Sequence, residues 1–169
     1  MIAEAATSFW TAQEFAVPSN IVEFLLQPLR SYDKGVREAG AKAMASAVAD
    51  DPKRTDAVMT VLMNSFEETL VPREVITDQL GNPIEDSHED EWFFRSGIAQ
   101  TWAAAAALWP AESVERLFTF LVSTALVKDR DTRSQEAVMV AGAALIDEIA
   151  KSSGSCDGVL QVSVVGVIE

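Results

Sequence analysis

Asp33-Lys34-Gly35-Val36-Arg37, with Ala39, Ala41 and Ala43 behind it, opens a pattern that the chain repeats twice. It returns as Glu91-Trp92-Phe93-Phe94-Arg95, followed by Gly97 and Ala99. It returns again as Asp129-Arg130-Asp131-Thr132-Arg133, followed by Ala137 and Ala141. In each copy an acid stands four residues before an arginine, and small residues follow. The arginines are 58 and 38 residues apart. An acid in a turn can cap the next helix by accepting from its free N–H groups. An arginine in a first helical turn opposes the helix dipole. A recurring one implies a carboxylate partner on a neighbouring copy. Asp33, Arg37, Glu91, Arg95, Asp129 and Arg133 therefore read as a structural ladder of charge-assisted hydrogen bonds. The small residues let each helix approach its neighbours closely.

The six prolines separate stretches of helical length. Ile21, Val22, Phe24, Leu25, Leu26 and Leu29 form a short amphipathic helix, with Asn20 as its expected cap and Pro28 near its end. Asp33 caps a second helix from Gly35 to Ala49, with Val36, Ala39, Ala43, Met44, Ala47 and Val48 inward. Thr55 to Leu70 is a third, on Val58, Leu62, Phe66 and Leu70. Glu91 to Leu108 follows, with Ile98, Thr101, Trp102 and Ala105 on one face. Glu112 to Val127 turns Val114, Leu117, Phe118, Leu121, Val122 and Leu126 inward. Asp131 to Lys151 does so with Ala137, Val140, Ala141, Ala144, Leu145 and Ile149.

The fold class is therefore all-α, an α-solenoid of about three HEAT-type helix pairs. A spacing of 38 residues sits near the period of such pairs, and 58 fits the same unit with a loop inserted. Residues 73–91 are that loop: they hold seven acids against one base and the turn Gly81-Asn82-Pro83. The solenoid segment spans 1–152. Residues 153–169 are expected as a non-helical or truncated tail, because Val159 to Ile168 is β-branched and reads as strand.

Net charge is -13 and the pI is near 4.4. Autonomous nucleic-acid binding and attachment to an anionic membrane both require a positive surface, so neither is expected. The early bases Arg30, Lys34, Arg37, Lys53 and Arg54 read as surface solvation. The one cysteine, Cys156, allows no internal disulfide and suits a reducing compartment. The longest apolar run, Trp102 to Trp109, is eight residues, too short to span a bilayer. A cytoplasmic protein is expected.

Glu91-Trp92-Phe93-Phe94-Arg95-Ser96-Gly97-Ile98-Ala99 resembles a motif of the general control nonderepressible translational activator family. Val114 to Leu121, Asp129 to Arg133 and Ala141 to Asp147 are similar to its next repeat. The resemblance spans residues 15–152. It implies a segment of a giant ribosome-associated HEAT solenoid that activates the amino-acid-starvation kinase. Its partners would be proteins, with ribosome and stress-response kinase reached through the full-length molecule.

No residue pattern points to catalysis, and no cofactor or metal is expected. His88-Glu89-Asp90-Glu91 has metal-ligand types but no second histidine, and the cysteine lies far away in the chain. The alternatives are another HEAT adaptor, such as a phosphatase scaffold or transport-receptor fragment, and a small helical metal-dependent hydrolase using the acidic loop. Trp92, Phe93 and Phe94 are the candidate partner contact, because three consecutive helical residues cannot all face one core.

Overall fold

Helix starts follow local chemistry. Asp33 accepts from the Val36 amide at 3.1 Å and begins the helix Lys34–Asp50. Pro52 opens a single 3-10 turn that leads into Thr55–Glu68, and the Thr55 hydroxyl donates to the Pro52 carbonyl at 2.7 Å. Asn20 makes no side-chain cap; only its backbone carbonyl accepts, from the Phe24 amide. Pro28 lies inside the last turn of Ile21–Leu29.

The structure is a computed structural model, and it describes residues 20–70, 78–80 and 91–153. Its helices are α1 (Ile21–Leu29), α2 (Lys34–Asp50), α3 (Thr55–Glu68), α4 (Trp92–Ala104), α5 (Ala111–Phe120) and α6 (Thr132–Ser153). A π-helical turn (Leu121–Ala125) and a short turn of α-helix (Leu126–Lys128) prolong α5. Among the described residues there is no strand, and no helix is long and apolar enough to cross a membrane. Most of the acidic stretch 73–91, the segment 1–19 and residues 154–169 lie outside the described residues.

The helices pair as α1 with α2, α3 with α4, and α5 with α6, giving the expected all-α solenoid of stacked pairs. The second helices form one layer, in which α4 packs between α2 and α6. The first helices cover it. The core joins both rows through Leu25, Leu29, Met44, Leu62, Phe66, Ile98, Trp102, Leu117 and Leu145, all fully buried. At its centre Phe66, Trp102 and Phe120 form an aromatic cluster with ring centroids 5.5 to 5.9 Å apart.

That cluster corrects the expected face of α5. Phe120 turns inward to meet Phe66 and Trp102, and Ser113 turns in to meet Asp56, so the buried stripe rotates. Phe118 and Val122 then face solvent. Val36 is exposed because the buried side of α2 is Arg37, Ala41, Met44 and Val48. On α6 the inward side is Val138, Ala141 and Leu145, whereas Val140 and the strip Met139, Ile146 and Ile149 are exposed. The helix has apolar residues on two sides, and only one of them meets α4.

Candidate functional site

The three arginines of the repeated pattern go three ways. Arg95 Nε donates to Asp129 Oδ2 at 2.8 Å, with the two side chains 3% and 0% exposed. This links the second pair to the third. Arg95 also donates to the Thr69 carbonyl at 3.1 Å, which ties in the end of α3. Asp129 receives the Ser134 hydroxyl at 2.5 Å and the Asp131 amide at 3.0 Å, so its carboxylate organises the turn before α6.

Arg37 does not reach the acid of the next pair. Its guanidinium donates to the carbonyls of Ser31 and Tyr32, each at 2.8 Å. Arg30, from the link between α1 and α2, meets Glu91 Oε2 at 2.5 Å instead. The first rung is therefore built by a residue outside the pattern. Arg133 forms an ion pair within its own turn, with Nε 3.0 Å from Asp131 Oδ1 and Nη2 2.6 Å from Oδ2. That bonding holds the Asp131 carboxyl below its ordinary range. Asp33 serves its own helix, as the cap described above.

The aromatic triplet divides in the same way. Phe94 is fully buried beneath the Arg30 guanidinium, 3.8 Å from its ring centroid. Phe93 is buried against Tyr32 with centroids 4.2 Å apart. Both are consumed by the joint between the first two pairs, which removes them as partner contacts. Trp92 alone reaches an open surface. Its ring meets the Arg133 guanidinium at 3.8 Å and that of Arg37 at 5.4 Å.

That surface is a groove of about 650 Å³ running across the layer of second helices. α4 supplies its floor through Trp92, Ser96 and Gln100. α2 supplies one wall through Lys34, Arg37, Glu38 and Lys42, and α6 the other through Arg133, Glu136 and Val140. Four cations face two carboxylates there, in a chain whose net charge is -13. Lys34 lies 3.7 Å from Glu38, and Lys42 has no ion pair among the described residues. Arg37 is 4% exposed and has no carboxylate within salt-bridge distance among the described residues. Burial lowers its pKa, with Asp33 and Glu38 acting in the opposite sense.

Sequence reasoning singled out Trp92 and the arginines, read Lys34 as surface solvation, and missed Lys42, Gln100 and Glu136. Their signal is spacing: 34, 38 and 42 on one helix and 92, 96 and 100 on another recur every four residues, which places each set on one face. The residues with metal-ligand types, His88, Glu89 and Asp90, lie outside the described residues.

A family model described as stalled ribosome sensor GCN1, HEAT repeats, matches residues 1–155. The chain is 28% identical over 152 residues to the mouse protein named stalled ribosome sensor GCN1, covering 90% of the chain and 6% of that protein. It is 27% identical to the human protein of the same name over an equal span. The chain thus spans about 6% of the length of the curated relatives it matches. No solved structure matches it.

Proposed function

The chain belongs to the HEAT-repeat family of the stalled ribosome sensor GCN1, and from that premise we propose that it is a non-catalytic scaffold segment of a ribosome-associated translational regulator. The observation that carries this reading is the family match over residues 1–155, most of the chain. The physical support is the mode of construction. Each helix pair buries its apolar side against its neighbours, and the Arg95–Asp129 bridge fixes the stacking of the second pair on the third. Such a stack holds an extended surface at a set curvature. Its work is to present groups to partners.

In this reading residues 1–152 are the solenoid segment and 153–169 a tail. Asp33, Arg37, Glu91, Arg95, Asp129 and Arg133 are structural, and Trp92 faces a partner. The partners are proteins in the cytosol, including ribosomes and a starvation-activated protein kinase reached through the full-length molecule. The net charge of -13 disfavours autonomous binding to nucleic acid. No cofactor takes part.

Sucrose-gradient sedimentation of the full-length protein from cells with stalled ribosomes tests this. Replacing this segment with unrelated HEAT pairs should reduce its co-migration with ribosomes or blunt starvation-dependent phosphorylation of the kinase's initiation-factor substrate. Unchanged sedimentation and unchanged phosphorylation would overturn the reading.

A further inference from the structure

We infer that the groove over α4 receives an extended acidic peptide segment from a partner protein. Three observations carry this. The first is charge. Lys34, Arg37 and Lys42 outnumber Glu38 and Glu136 in a groove of a strongly acidic chain, with Arg133 set against Asp131. Positive potential confined to one concavity focuses anionic ligands there.

The second observation is Arg37. It is 4% exposed, lines the groove and has no carboxylate within salt-bridge distance among the described residues. Its Nε has no hydrogen-bond partner among the described residues. A buried guanidinium bonded to carbonyls, with Asp33 and Glu38 acting on it without a direct bond, gains from a carboxylate in the groove that bonds it directly. The third is Gln100 on the floor, whose Oε1 also has no hydrogen-bond partner among the described residues. Its terminal torsion is soft, so the amide can turn to accept from a peptide N–H.

Dimensions agree with a peptide. Two interaxial steps from α2 across α4 to α6 make about 18 Å, the length of about six extended residues. Lys34 and Lys42 then meet carboxylates at the α2 wall, and an apolar side chain lies against Val140. A nucleic-acid strand fits less well. The Trp92 ring is already engaged by two guanidiniums rather than free as a stacking platform, and the overall charge repels a long polyanion.

The inference rests on the scaffold reading and adds to it a chemical class of partner. Its test uses the full chain with three fluorescent probes: a peptide of about ten residues alternating Glu and Leu, the same peptide with Lys for Glu, and single-stranded oligouridine of similar length. Anisotropy should show the acidic peptide binding at least about tenfold tighter than the other two. It should weaken as salt rises. The double variant K34E/K42E alters two solvent-exposed residues and should lower that affinity by about tenfold, with helical circular dichroism unchanged. K42Q gives a milder second variant if the double one misfolds, and should weaken binding by a smaller factor. Equal binding of the two peptides, preference for oligouridine, or wild-type affinity in both variants would overturn the inference. Ribosome sedimentation of the full-length protein reads the scaffold function separately, so peptide binding can fail while that reading stands.

Discussion

The two joints between successive helix pairs are built differently. The joint between the second and third pairs is electrostatic: Arg95 and Asp129 meet at 2.8 Å with both side chains almost fully buried. The joint between the first and second pairs is steric. A Cβ added at Gly97 would lie 2.6 Å from the Leu29 carbonyl oxygen and 3.0 Å from the Leu29 Cβ. Its ion pair, Arg30 with Glu91, leaves Arg30 42% exposed. One repeated sequence pattern thus gives two kinds of adhesion. A buried charge pair demands geometry and punishes loss of either partner. Close backbone approach demands the absence of a side chain and punishes its addition.

The largest expected effect breaks the electrostatic joint. Arg95→Ala leaves the Asp129 carboxylate buried with only the Ser134 hydroxyl and the Asp131 amide to satisfy it. Urea unfolding should show a loss of about 3–5 kcal/mol. Arg95→Lys should recover little of it, because an ammonium cannot serve Asp129 and the Thr69 carbonyl with the same fork. A loss under about 1 kcal/mol would mean that Asp129 is satisfied without the arginine.

The steric joint comes next. Gly97→Ala puts a methyl group against a backbone carbonyl that cannot swing aside as a side-chain end could. The expected cost is about 1–3 kcal/mol. Hydrogen exchange distinguishes it from Arg95→Ala: amides of α1 should lose protection first, whereas the arginine variant should loosen the start of α6. Uniform loss in both variants would show that the two joints unfold as one unit.

Much of this was legible in the sequence. Asp33 announces its cap by preceding a helix with no other acid in its first turn. Ile98, Thr101, Trp102 and Ala105, spaced three and four apart, are all fully buried. What periodicity could not give is which of two apolar sides wins. Phe118 and Phe120 are equally hydrophobic, and the choice lies with Phe66 and Trp102, distant in sequence. The same holds for Val138 against Val140 on α6. Nor could the repeat show that Arg30, outside the pattern, takes Glu91 and leaves Arg37 to the Ser31 and Tyr32 carbonyls. A ladder inferred from spacing assumes identical neighbours, and the link between α1 and α2 supplies a competing guanidinium. The groove was invisible because its charges come from two helices, α2 and α6, held on either side of α4.

A smaller effect sharpens the contrast at the first joint. Arg30→Ala removes the pair with Glu91 and the contact over Phe94. Exposed pairs and cation–π contacts each contribute under about 1 kcal/mol. The expected loss is about 1 kcal/mol in low salt, and added salt should shrink the ion-pair share of it. A loss matching that of Arg95→Ala would mean that the first joint is electrostatic after all.

The smallest effect carries the opposite sign and concerns another glycine. Gly142 sits in mid-α6 with nothing within 4 Å of a Cβ built on it. Gly97 and Gly142 are both helical glycines, yet only Gly97 has a backbone against it. Where no neighbour intrudes, alanine restores helix propensity and restricts the unfolded chain. Gly142→Ala should therefore stabilise the chain by about 0.5–1 kcal/mol, seen as a raised urea midpoint with unchanged slope. The exposed strip of Met139, Ile146 and Ile149 lies on the same side of α6 as this position. If a second copy docked there in solution, the added methyl would meet it. The variant would then lower stability at high protein concentration while raising it at low concentration. Stabilisation independent of concentration would show that the strip stays open and that Gly142 answers only to its own helix.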